Sequence, residues 1–243
     1  MPGLVSLGQH RVTLGRITIP RVGAWSADVQ TDDEIGEAEL SASLTLTLAD
    51  LSLVGVRVRG EAWQGSTRVR LVGGAGGWRR VLAPRWYVSD AGVRSTTVLA
   101  DLARDTGETI APGAPLPTTL GPAYARGRQA GSATLADLAR YAPGQALPWW
   151  VAPDGTTHLE ARATGLVGAA FDATGYDATR GIVEVGTETP AAFAPGLVLT
   201  SPRLPQSDGG RFAISDVVHR IEGGRIRSDL WVYRGAASWA GAA

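Results

Sequence analysis

The sequence predicts a mainly β chain interrupted by an α+β insertion, and three observations carry that reading. Leu40, Ala42, Leu44, Leu46 and Leu48 alternate with Ser and Thr, the two-residue period of a strand with one buried face. The hexamer Leu-Ala-Asp-Leu-Ala-Arg occurs at 99–104 and again at 135–140, each time within a stretch of helical period. RFAISDVVHRI and RIRSDLWVYR flank Glu222-Gly223-Gly224, a β-hairpin signal. The chain accordingly divides into β structure over 1–92, a helix–linker–helix segment with a hairpin over 93–165, and a second β region over 166–243.

In the first region RVTLGRITI (11–19) alternates, but its apolar parity switches after Leu14, so a bulge is expected at Gly15. GVRVRG (55–60), TRVRLV (67–72) and RWYV (85–88) continue the series, with Arg57, Arg59, Arg68 and Arg70 assigned to outward faces. Short strands at this spacing, with no helix between them, indicate a sandwich or barrel. The period then changes. Leu99, Leu102 and Ala103 form a helical stripe, with Thr96 as N-cap and Gly107 as the stop. Residues 109–131 are rich in Pro and Gly, lack a period and read as a linker. A second helix follows, capped by Ser132, with Leu135, Leu138, Ala139 and Ala142 on one face. Each helix carries an Asp–Arg pair three apart, Asp101/Arg104 and Asp137/Arg140. Trp149–Val151, the turn Pro153-Asp154-Gly155 and 156–161 then read as a hairpin, and IVEV (182–185) and GLVLT (196–200) as strands. Similarity between the helices ends with the hexamer, so they are not repeats of a larger unit.

Composition narrows the function. The 243 residues suffice for a sizeable core, and 23 basic residues balance 23 acidic ones, so no overall charge favours nucleic acid. Cysteine is absent, which excludes disulfides, Cys-ligated zinc and thiol catalysis. Every basic residue is arginine, which excludes Schiff-base and P-loop lysines. The N-terminus lacks a basic segment followed by an apolar one, and no stretch is long and apolar enough to span a bilayer. A chain made in the cytoplasm is expected.

Candidate chemistry is sparse. Gly73-Gly-Ala-Gly-Gly77 invites a phosphate-cradle reading but lacks the following Lys-Ser/Thr and helix. It reads instead as a flexible loop at an interface. Asp105-Thr106-Gly107 matches the aspartic-protease triplet, but no second copy exists and Gly107 is explained as a helix stop. His10, His158 and His219 show no metal-ligand spacing, and neither a metal nor a cofactor is expected. His158 and Glu160 share a strand face, whereas Asp216 and His219 face opposite ways. Asp32, Asp33 and Glu34, with Glu37 and Glu39, form an acidic stretch, read as a solvated loop or a rim for a partner's arginines. The eight tryptophans are assigned mostly to barrel core. Adjacent Trp149 and Trp150 must point to opposite faces, so burial of both requires cover on both sides. Trp149, Trp150, Trp78, Arg57, Arg59 and the acidic Asp32-Asp33-Glu34 are therefore the candidate subunit or partner interface. No catalytic residue is assigned.

The pattern S-T-x-V-L-x-x-L-A-x-x-x-G-E at 95–108, a second helix with Leu135, Leu138 and Ala139, and W-x-V-x-x-D-G-T at 149–156 resemble the baseplate hub proteins of contractile-tailed phages. The relatives are the late control D proteins and the hub portion of VgrG spike proteins of type VI secretion. The stretch RVRLVGGAGGWRRVLAPRWYV is similar to that of short hub-like proteins of Mu-like prophages. The resemblance implies two tail-tube-like β-barrel (sandwich) domains joined by the insertion, with 166–243 completing the second barrel. It also implies a homotrimer forming a pseudo-hexameric ring in the virion, between a hexameric tail tube and a trimeric spike and among other baseplate proteins. DNA would pass through the lumen without specific binding, along a wall expected to be neutral to acidic. Two other classes stay open. One is a tail-associated cell-wall hydrolase using carboxylates among Asp101, Glu108, Asp137 and Glu160. The other is a carbohydrate-binding module with Trp63, Trp78 or Trp86 as platforms.

Overall fold

The structure, a computed structural model, describes residues 5–142, 147–201, 204 and 211–234. The first seven elements are β1 (Val5–Leu7), β2 (His10–Ile19), β3 (Ser26–Thr31), the short helix α1 (Glu37–Leu40), β4 (Leu44–Leu48), β5 (Leu51–Trp63) and β6 (Ser66–Gly73). The strands pair in the order β1-β4-β5-β6-β3-β2, and β2 pairs back onto β1, so six antiparallel strands close a barrel. Alternation sets its interior. Leu44, Leu46 and Leu48, Leu51 and Leu53, Val69 and Leu71, and Ala27 and Val29 are all buried. Each fully buried Leu or Val stabilises by roughly 1.5–3 kcal/mol. Trp25, 1% exposed, fills the space beside β5 and β6. A methyl on Gly73 would stand 2.4 Å from its indole nitrogen, so only glycine fits there.

Two expectations for this region change. The alternation running back from Leu44 to Leu40 is not strand throughout: Glu37–Leu40 forms α1, and Leu40 is buried at its end. The β2 bulge lies between Val12 and Leu14, just before Gly15. A second bulge lies between Arg57 and Arg59, so Arg57 is paired with Leu71 on the barrel's inward face while Arg59 pairs with Arg70 outside. Arg57 is therefore not outward like Arg59, Arg68 and Arg70; it turns to the α1 carboxylate Glu37.

After a 3-10 turn at Gly77–Arg79 the chain leaves the barrel earlier than expected: RWYV (85–88) is not a barrel strand but joins the segment expected as the insertion at 93–165. The insertion contains β7 (Val81–Leu82), β8 (Arg85–Val88), α2 (Ser95–Thr106), β9 (Ala123–Arg126), β10 (Gln129–Ala130), α3 (Gly131–Ala139), β11 (Trp149–Val151) and β12 (Thr157–Leu159). The supposed linker thus holds two short strands, β9 on β8 and β10 on β7. Gly107 ends α2 in the left-handed conformation at φ 76°, where glycine carries no Cβ penalty. The caps differ from expectation: Arg94 and Ala130 occupy the N-cap positions, and neither Thr96 nor Ser132 caps with its side chain. The buried face of α2 runs through Val98, Asp101, Leu102 and Thr106, rotated about one position from the predicted stripe. That of α3 holds Leu135, Leu138 and Ala139, with Ala142 buried just beyond it.

The C-terminal region comprises β13 (Gly165–Leu166), β14 (Asp172–Asp177), β15 (Ile182–Gly186), β16 (Leu197–Thr200), β17 (Arg211–Glu222) and β18 (Arg225–Arg234). The β17–β18 hairpin forms as predicted. Residues 217–222 of β17 pair with 14–19 of β2, and the sheet continues through β18 and β15 to β14. One edge of β2 thus serves β1 at His10–Arg11 and β17 beyond Leu14. Among the described residues these strands extend the barrel's own sheet, and their pairings close no second barrel. Among the described strands β14 ends this order, paired with β15.

Candidate assembly surfaces

The glycine loop is an anion cradle whose anion is internal. Ala75 and Gly77 donate backbone hydrogen bonds to the Glu108 carboxylate at 2.9 and 2.6 Å. Successive N–H groups in a turn converge on negative charge, and Glu108, buried just after α2, supplies it. This loop locks the barrel to the insertion. A Cβ on Gly77 would lie 1.9 Å from the Thr106 carbonyl, and Trp78 donates its indole N–H to Thr157 Oγ1 at 2.9 Å.

Trp78 and Trp149 come together at 5.6 Å between ring centroids, and Trp78 is 3% exposed. Trp150 faces the other way. It stacks on His158 at 4.3 Å and 8°, and the Arg162 guanidinium lies 4.2 Å from its ring centroid. Arg162 also donates to the Pro20 and Arg21 carbonyls at 2.9 and 3.2 Å, and burial lowers its pKa to about 10. Both faces of this short strand are thus covered within one chain. An apolar cavity of about 260 Å³ adjoins Trp150, Trp25, Leu53 and Phe193. Arg162 escaped the sequence reading because it lies beyond the end of β12, where no periodicity marks it.

The acidic stretch is exposed and partly engaged. Asp33 and Glu39 hold the two ring nitrogens of His10 at 2.7 and 3.2 Å. The Asp33 hydrogen bond, opposed by partial burial and aided by Glu39, raises the His10 pKa. Glu34 accepts from the Gly65 amide at 2.9 Å, and Glu37 binds Arg57. Asp32 is exposed, as is Arg59 on the opposite edge of the β5 bulge.

The carboxylates considered for hydrolysis are separately committed. Asp101 binds Arg85 at 2.9 Å and Arg104 at 2.8 Å. Asp137 accepts from Gln129 at 2.7 Å and pairs with Arg140 at 3.3 Å. Glu160 meets His158 at 2.9 Å, and Glu108 lies in the glycine loop. Asp105 of the protease-like triplet binds Arg126 at 2.7 Å. Burial acts to raise its pKa, but the hydrogen bonds and charges of Arg126 and Arg104 outweigh that and lower it. His219 is fully buried, with Ser228 Oγ at 2.8 Å, and desolvation lowers its pKa to about 4. Among the described residues no group of three or more His, Cys, Asp and Glu side chains could hold a metal, and no helix is long and apolar enough to cross a membrane.

The tryptophans correct the sequence reading most. Trp25 and Trp78 are buried, Trp149 and Trp150 are half-buried, and Trp63, Trp86 and Trp231 are exposed by 69, 77 and 39%; Trp239 lies outside the described residues. Burial removes Trp78 as a stacking platform, whereas Trp63 and Trp86 remain accessible. Trp86 belongs to an apolar surface: on the β8–β9 ribbon Trp86 opposes Ala125 and Val88 opposes Ala123, and all four are exposed. The other ribbon face, with Tyr87 and Tyr124, packs on the chain, and burial pushes the Tyr124 hydroxyl up to about 12. An isolated two-stranded ribbon with one wholly apolar exposed face is marginal alone.

The chain thus combines a closed barrel, a sheet that extends from it and an exposed apolar ribbon. No protein-family model matches the chain, and no curated protein matches its sequence. Solved structures do match its fold. A tail protein from Neisseria meningitidis MC58 superposes with a TM-score of 0.62 at 16% identity, covering 97% of each chain. The 43 kDa tail protein of prophage MuSo2 from Shewanella oneidensis gives 0.61 at 8% identity, over 95% of this chain and 97% of that one. An E. coli component of the type VI secretion system, described as structurally similar to the T4 phage tail proteins gp27 and gp5, gives 0.62 at 14% identity, over 96% and 79%. The chain shares the fold of phage and prophage tail proteins, as its resemblance to the short Mu-like hub proteins implied.

Proposed function

We propose that the chain is a structural, non-enzymatic protein of a phage-type tail, acting as a baseplate hub in the virion. The observation that carries this is the agreement in fold with tail proteins over nearly the whole chain. Three copies form a pseudo-hexameric ring in which the barrel and the C-terminal sheet act as two tube-like units per chain. The ring joins a tail tube protein above to a spike below and contacts other baseplate proteins, and DNA passes through it. The exposed Trp86–Val88 ribbon face supports this reading, because such an apolar face is a liability in a monomer and natural at subunit contacts. This reading takes the exposed Arg59, Asp32, Asp33 and Glu34 as partner contacts, with Arg57, bound to Glu37, and Trp78, Trp149 and Trp150 acting behind them. Deleting the gene tests the proposal: tails should lack the tube–spike junction in electron micrographs. Complete, infectious tails without the chain overturn it.

A further inference from the structure

The register of the sheet aligns arginines that are scattered in sequence. Arg59 of β5 opposes Arg70 of β6, which opposes Asp28 of β3, which opposes Arg16 of β2. Arg16 in turn opposes Arg220 of β17, and Arg220 opposes Arg227 of β18. Direct cross-strand partners share a face, so one row across six neighbouring strands presents five arginines and a single carboxylate. At about 4.8 Å per strand the row is roughly 24 Å long. The next row adds Arg68 and Arg225 with Glu61 and Glu222, and a cleft of about 170 Å³ opens among Arg220, Glu222, Arg225 and Arg227.

Most of this charge is unneutralised. Arg16, Arg59, Arg68, Arg225 and Arg227 are exposed and have no ion-pair partner among the described residues. Arg70 meets Asp28 at a loose 3.8 Å; Arg220 is held by Asp229 at 2.7 Å and Glu184 at 3.5 Å. A stable protein–protein interface needs an apolar, desolvated centre. Of the twelve positions in these two rows Leu14 is the one apolar side chain. A polyphosphate backbone needs no apolar centre, only spaced guanidinium groups that fit its oxygens.

We propose that this face binds the phosphodiester backbone of duplex DNA without reading sequence. The proposal is independent of ring formation, since a single chain carries the whole row. It also contrasts with the expectation that the lumen wall DNA passes would be neutral to acidic, because the row is created by long-range register and hidden in a net charge of zero. Binding is weak and steep in salt: log K against log salt should have a slope of about −0.9 per phosphate neutralised, so about −3 to −5 for this row.

The test is fluorescence anisotropy of the full chain with a random 30-base-pair duplex across a salt series. Each of Arg16→Gln, Arg59→Gln and Arg227→Gln should flatten the slope by about 1, and the triple variant should lose at least tenfold in affinity at low salt. Arg140→Gln, just past α3 and outside this sheet, should change nothing. Circular dichroism and melting curves confirm that these exposed variants fold. Absence of binding at low salt overturns the proposal, as does binding unaffected by the triple substitution. Binding of polyglutamate as tight as that of DNA also overturns it and assigns the row to an acidic protein surface.

Discussion

The barrel and the C-terminal sheet are built from the same kind of strand and share β2, yet one is closed and the other open. In the barrel every strand has two neighbours, and the alternating Leu and Val residues point into one interior containing Trp25. Past β17 the sheet runs out through β18 and β15 to β14, where the order of described strands ends without closing on itself. The difference teaches where backbone pairing closes on itself and where, among the described strands, it does not. A closed barrel has satisfied its own backbone and can tolerate a variable outside; an open sheet keeps polar groups available for a neighbour.

Removing the barrel's central side chain should separate the two regions most strongly. Trp25→Ala is expected to cost about 3–5 kcal/mol and to collapse both regions in one transition, because the C-terminal sheet hangs on β2. Chemical denaturation followed by tryptophan fluorescence and by far-UV circular dichroism should give coincident curves. If a folded C-terminal sheet persists after the barrel melts, the two are independent units and the shared strand matters less than its pairing suggests.

Acid should act on the seam between them. His219 lies on β17 between Ile17 of the barrel and Ser228 of β18. Its pKa is about 4 folded against 6.5 for the ordinary group. Between those values the unfolded chain binds more protons than the folded one, so stability falls as pH drops from about 6.5 to 4. The loss approaches roughly 3 kcal/mol. His10 works in the opposite sense: raised by Asp33, it contributes most below its ordinary value and loses that contribution as pH rises through its folded value. Urea midpoints measured across this pH range, with His219→Gln for comparison, should show the acid loss in the parent chain and little of it in the variant.

A smaller contrast lies between the twin hexamers. Asp101 of α2 is buried and holds Arg85 and Arg104, while Asp137 of α3 has a side chain 36% exposed. Asp101→Asn should cost about 1–3 kcal/mol, since it leaves charged partners short of an acceptor. Asp137→Asn should cost under about 0.5 kcal/mol. Equal costs in thermal melts would mean that the hexamer, not its surroundings, sets the energetics.

These contrasts also explain what could be read from sequence. Strands with local period and turns with local chemistry were legible: Leu44, Leu46 and Leu48, the Asp154-Gly155 hairpin, and β17–β18 around Gly223-Gly224. The stop at Gly107 was legible for the same reason. Closure of β1 onto β2 was not, because it depends on strands far apart in sequence. The same holds for the seam of β2 with β17. The glycine loop, which reads from sequence as a flexible interface loop, instead holds an internal anion, because Glu108, just past the end of α2, accepts from its amides. Arg57 and Arg59 looked equivalent until a single bulge put them on opposite faces. Tryptophan count suggested core, while Trp63, Trp86 and Trp231 are exposed.

The proposal that the apolar ribbon is covered by other copies is tested most directly by native mass spectrometry over a concentration series. The 25.3 kDa chain should shift with concentration to a species of three chains, and Trp86→Ser with Val88→Ser should weaken that species without unfolding the monomer. A monomer at every concentration, from a chain whose melting shows it to be folded, would contradict the claim.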